Sequence, residues 1–183
     1  MGDTSDSASV DLDSHAALAS SSMADVVTLR NAQTLGTLGL LPFFAQALLC
    51  WLPDVVTIAD VPAARLAQMS LVAYSATILA FLGAVPWGIA LFAPLNPPQN
   101  RRRYLDWGVI PAILGWLALL MMFVGIPAWV VLAFLIADLW LVRLMDGVLL
   151  RGRTVGAERY LELRGRLTWG ATLALAIALI ATL

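Results

Sequence analysis

The chain contains no lysine; all 11 of its basic residues are arginine. That absence removes the phosphate-loop lysine of nucleotide hydrolases and any lysine Schiff base. Cysteine and histidine occur once each, as Cys50 and His15. One cysteine makes no internal disulfide, and one of each cannot assemble a His/Cys metal cluster within a single copy. A triad built on His15 is disfavoured as well, because that residue lies in a polar tail. The HExxH, GxSxG and CxxC patterns are missing. The expectation is a chain with no catalytic residues, no cofactor and no metal site, hence not an enzyme.

Charge is also scarce. Charged residues make up 13% of the 183, and hydrophobic residues 61%. Soluble domains run at about 25% charged and about 45–50% apolar. With a mean hydropathy of +0.85, this composition belongs in a lipid bilayer. The net charge of -1 carries little information, because the charges are segregated along the chain.

Residues 1–30 are rich in Ser, Asp and Ala and lack both the basic and the apolar regions of a signal peptide. They read as a disordered tail, with Met1 and Met23 both candidate starts. The remainder, 31–183, reads as a membrane domain of five apolar segments at about 32–52, 66–92, 107–124, 128–150 and 167–183. A helix needs about 20 residues to cross about 30 Å of hydrocarbon, so the third and fifth are short unless their flanks extend them. Gly125, Ile126 and Pro127 predict a tight turn between spans three and four. The fold expected is all-α, a five-span polytopic bundle.

Arginine sets the expected orientation. The end bearing the N-terminus holds Arg30, Arg101, Arg102, Arg103, Arg151, Arg153, Arg159, Arg164 and Arg166, whereas the opposite end holds Arg65 alone. Such a bias places the N-terminus in the cytoplasm and the C-terminus outside. The triple arginine is then a topology determinant, and no nucleic-acid partner is expected. Trp51, Trp107, Trp129 and Trp169 fall at span ends, where interfacial anchors belong.

Within the spans, the polar candidates are Gln46, Tyr74, Thr77, Asp138, Arg143 and Asp146. Arg143 and Asp146, one to two turns from an end, are expected to pair at i,i+3 and to snorkel. Asp138 lies near the middle of its span and cannot reach water by stretching. Intramembrane carboxylates face a bundle interior and find partners there. Tyr74, Thr77 or Gln46 would supply them.

Two ribbons of small residues recur at every fourth position: Ala76, Ala80, Ala84 and Gly88 in span two, and Gly170, Ala174, Ala178 and Thr182 in span five. Such faces let helices approach closely, so both are expected to be seams inside the bundle, with Leu79 pointing elsewhere. Pro42 and Pro86 should kink their helices. Ahead of span five, a collar starting at about Ala157 offers Glu162–Arg166 and Tyr160–Arg164 pairs at i,i+4.

Several stretches carry a resemblance: "LGTLGLLPFFAQALL", "AYSATILAFLGAVPWGIAL", "DWGVIPAILGWLALL" and "RYLELRGRLT". Together they resemble the small multi-span family that includes mitochondrial transmembrane protein 69, from about Gln33 to the C-terminus. The positions that carry it are Tyr74, Gly83, Trp87, Gly88, Tyr160 and Arg164. The resemblance implies a helix bundle in a bacterial inner membrane or its mitochondrial equivalent, and it implies no reaction. Two functional expectations follow. One is a non-catalytic interaction or assembly subunit, whose partners are the lipid bilayer and other inner-membrane proteins or a second copy. The other is a small proton-linked or solute transporter using Asp138.

Overall fold

The computed structural model describes residues 30–92, 100–151 and 157–183. The expected disordered tail, both candidate starts and His15 lie outside them. The chain divides into two units at Leu38/Gly39. Of the first, residues 30–38 are described and are helical, with the Thr34 and Thr37 hydroxyls donating to the carbonyls of Arg30 and Gln33.

The second unit begins with α1 (Leu41–Leu49), in which Pro42 occupies the first turn. There the missing N–H is no loss, and Gly39 and Leu40 just before it form a turn within the first span. A two-residue hairpin follows, β1 (Thr57–Ile58) against β2 (Val61–Pro62). Ala59 and Asp60 between them both have positive φ, as a type I′ turn requires. Next come α2 (Ala63–Phe92), α3 (Asn100–Phe123), α4 (Ala128–Leu150) and α5 (Ala157–Ile180). Among the described residues five stretches are long and apolar enough to cross a membrane, the first being Arg30–Leu49. The protein is an α-helical polytopic membrane bundle with one short β-hairpin.

The two short spans gain their length at their N-terminal ends. The triple arginine forms the first turns of α3, and the collar is continuous with span five as α5. The α3–α4 turn is a Schellman cap: Gly125 has φ +84°, its N–H donates to the Met122 carbonyl, and the Ile126 N–H donates to Met121. Pro127 then opens α4.

The core is packed by Leu71, Leu79, Leu132, Leu135, Leu139, Val142 and Leu175, each fully or almost fully buried. Lipid is as apolar as these side chains, so close packing and internal hydrogen bonds hold the helices together instead of hydrophobic expulsion. The most extensive pairing is α2 with α3. A Cβ at Gly83 would strike the Gly108 carbonyl. One at Gly108 would lie 2.6 Å from the Gly83 carbonyl oxygen and also meet Trp87. One at Gly115 would lie 2.9 Å from the Ala76 carbonyl oxygen and 3.0 Å from its Cα. Glycine is required at this crossing because backbone meets backbone.

This seam corrects the expected span-two ribbon. Ala76 is buried and lies in the seam, but Ala80 and Ala84 are exposed, and a Cβ at Gly88 would meet nothing within 4 Å. Leu79, expected to point away, is fully buried. The span-five ribbon does face inward: Ala174 and Ala178 are fully buried, and Gly170 lies against Leu40. Pro86 and Pro111 sit inside α2 and α3, both of which continue past them. Trp107 also departs from expectation; two turns into α3, it is 8% exposed and belongs to the core.

Candidate functional site

Most of the buried polar side chains lie at two depths, with Thr168 of α5 buried midway between them, and cross-helix contacts fix the registers. At the first depth, Arg164 of α5 donates through Nε to Asp146 Oδ2 of α4 at 2.9 Å, with the two side chains 5% and 2% exposed. The expected Arg143–Asp146 ion pair is therefore replaced by a cross-helix pair. A guanidinium on a neighbouring helix meets the carboxylate head-on, which an i,i+3 neighbour pointing along the same helix does not. Arg143 is half-buried and makes no ion pair among the described residues, yet it lies close enough to Asp146 to act on it electrostatically. Its guanidinium rests over two glycines: a Cβ at Gly165 would be 3.5 Å from its Nε, and one at Gly147 3.6 Å from an Nη. Tyr160, one turn before Arg164, is half-buried within the field of the same three charges. The expected Tyr160–Arg164 ring contact gives way to the Asp146 bond, while Glu162–Arg166 forms as expected at 2.6 Å on the exposed face. Near the same end, the Tyr104 hydroxyl donates to the Leu149 carbonyl at 2.6 Å and ties α3 to α4.

The second depth lies about 12 Å further in. Asp138 is eight residues from Asp146 along α4, and Thr172 is eight from Arg164 along antiparallel α5, at 1.5 Å per residue. From the Tyr104–Leu149 bond, eleven residues along α3 reach Gly115 and eleven along α4 reach Asp138. Gly115 touches Ala76, so Ser75 of α2 shares this depth. Gln46 joins it from α1, bracketed by Leu40 beside Gly170 and by the Trp51 indole N–H, which donates to the Ile177 carbonyl. Asp138 is 4% exposed and Ser75 1%. Gln46 Oε1, Asp138 Oδ2 and Thr172 Oγ1 are buried and without a hydrogen-bond partner among the described residues.

Of the partners expected for Asp138, two are engaged elsewhere. Tyr74 donates to the Gly39 carbonyl at 2.9 Å and stacks edge-on against Phe43, joining α1 to α2. Thr77 donates to its own helix at Ala73 and is exposed. Of the three, Gln46 alone leaves a buried oxygen, Oε1, without a partner among the described residues. Ser75 and Thr172 stand in the sequence as further polar residues at mid-span, but a lone hydroxyl in an apolar run cannot be aimed until register places it. Of the family-motif positions, Gly83 forms the α2–α3 crossing and Trp87 donates to the Leu105 carbonyl at 3.0 Å across the same seam. Among the described residues no cluster of His, Cys, Asp or Glu could hold a metal ion.

Two comparisons place the chain among known proteins. Transmembrane protein 69 of Xenopus tropicalis is 38% identical over 96 residues, covering 47% of this chain and 31% of that protein. The match thus spans about a third of the relative's length. No solved structure matches. Residues 28–180 match the family described as "Protein of unknown function (DUF3429)". On that match, which extends from the start of the first span almost to the C-terminus, this membrane-spanning chain belongs to the DUF3429 family.

Proposed function

We propose that this protein is a non-catalytic interaction or assembly subunit of a bacterial inner membrane, oriented with its N-terminus in the cytoplasm. The observation that carries the reading is the outward face of α2. Ala73, Thr77, Ala80 and Ala84 are exposed there, and Gly88 continues the row into open space. Small side chains at every third or fourth position let another helix reach backbone distance in lipid. Among the described residues this face takes no part in the chain's own packing, because the α2–α3 seam is built from Gly83, Gly108, Gly115 and Ala76. A further support is that Tyr74, Tyr104, Trp51, Trp87 and Asp146 are all occupied in tying helices together. The partner of this face is another membrane protein or a second copy, and no nucleic acid is implied.

The test is complex size in mild detergent. Ala80→Leu with Ala84→Leu should release the chain from its complex while leaving its own melting midpoint unchanged. A wild-type chain that migrates as a bare monomer would end this reading.

A second reading, proton-linked transport through Asp138, is favoured by the three unpartnered oxygens at its depth. Reconstituted vesicles with a pH-sensitive dye separate the two. Proton flux present in wild type and lost in Asp138→Asn supports transport, and no flux above empty vesicles rejects it.

A further inference from the structure

Near the arginine-rich end of α4 and α5, two guanidinium groups face one carboxylate. Arg164 satisfies Asp146, and its Nη2 is buried without a partner. Arg143, half-buried, lies between α4 and α5 over the bare backbones of Gly147 and Gly165. Among the described residues it has no acidic partner. The cluster therefore holds one more positive than negative charge, in a place where an uncompensated cation is costly.

The surroundings of Arg143 narrow the class of anion. One turn deeper, Trp140 and Trp169 stack edge to face, their centroids 4.9 Å apart, with Trp169 64% exposed. Leu141 on α4 and Leu173 on α5, both deeper than Arg143, are 42% and 56% exposed. A charged head above, with an aromatic pair and aliphatic side chains below, is the polarity profile of a phospholipid. The glycines leave the floor of the groove low enough for a headgroup to reach the guanidinium. Guanidinium donors suit phosphate oxygens, and they do so best where water is scarce.

We propose that the α4–α5 groove binds an anionic phospholipid, with the Arg143 guanidinium on the phosphate and the Trp140–Trp169 pair beside the upper acyl chain. Net negative headgroups are selected because they neutralise the extra charge, which a zwitterionic lipid does not. Basic pockets between membrane helices take anionic lipids for this reason.

The experiment uses the full chain purified in dodecyl maltoside, with its thermal midpoint followed during titration by phosphatidylglycerol, phosphatidylcholine or inorganic phosphate. Native mass spectrometry counts the retained lipid. Phosphatidylglycerol should raise the midpoint and remain as one molecule per chain, and the other two should do neither. Arg143→Gln should need roughly tenfold more phosphatidylglycerol for the same rise, the scale of one charge-assisted hydrogen bond. Its lipid-free midpoint should change little, since Arg164 holds the Asp146 bond and Arg143 acts on that carboxylate only at a distance. Gly165→Leu, which raises the groove floor while keeping the charge, should lose the response too, whereas Arg103→Gln at the exposed start of α3 should keep it. An undiminished response in either groove variant overturns the proposal. So does an equal effect of phosphatidylcholine, which makes the groove a general lipid contact, or of inorganic phosphate, which makes it a free-anion site.

Discussion

Removing the Arg164 guanidinium tests the electrostatic heart of the bundle. In Arg164→Met the Asp146 carboxylate keeps its place, 1% exposed, but loses a 2.9 Å charge-assisted bond. Breaking a buried pair by deleting one partner costs about 3–5 kcal/mol. Arg143 lies within electrostatic reach of Asp146 and can offset part of the loss, so the lower end of that range is expected, about 3 kcal/mol. The double variant Asp146→Leu/Arg164→Met removes both charges and fills similar volume, and should fall within about 1 kcal/mol of wild type. Arg143→Gln in the Arg164→Met background should cost more than Arg143→Gln alone, because Asp146 then has no cation left. The assay is unfolding in mixed dodecyl maltoside and SDS micelles, read as a double-mutant cycle. A single Arg164→Met variant as stable as wild type would refute the reasoning. So would a double variant as unstable as the two singles added, since it would show that no pairwise bond exists.

Other outcomes follow from the same contacts. Gly108→Ala should lower the unfolding midpoint sharply, because its Cβ meets the Gly83 carbonyl and the Trp87 ring; a midpoint unchanged in detergent would deny the close crossing. Tyr104→Phe leaves the buried Leu149 carbonyl without its donor, at a cost of about 1–3 kcal/mol in the same micelle titration. Leu79→Ala should destabilise by about 2–5 kcal/mol as a core truncation, while Ala84→Leu, on the exposed face, should leave the isolated chain's stability unchanged. Cys50, 4% exposed, should resist maleimide in the folded protein and react on unfolding; rapid labelling in mild detergent would contradict its burial.

The number of helices was legible in the sequence because hydropathy runs report spans directly, and α4 matched at 128–150 because Pro127 and Arg151 bracket an unbroken apolar run. The starts of α3 and α5 were not legible in the same way. Their first turns are polar and arginine-rich, and such turns are good helix but poor hydrocarbon, so hydropathy truncates them. The small-residue period of α2 was visible, but its direction was not. In water an apolar face must turn inward, whereas in lipid Ala80 can face outward at no cost, so periodicity identifies a face without aiming it. The partner of Asp146 was hidden for a related reason. Spacing along one helix proposes Arg143, and the cross-helix bond to Arg164 appears only once the α4–α5 register is known.

On the proposed function, the outward row on α2 meets another membrane helix. Site-specific photo-crosslinking in intact membranes tests it most directly, with the crosslinker placed in turn at Ala80, Ala84, Ile113 and Leu173, all exposed. One discrete adduct is expected, of the same mass from Ala80 and Ala84, and none from Ile113 on α3 or Leu173 on α5. Adducts equal at all four positions, or absent at Ala80 and Ala84, would contradict it.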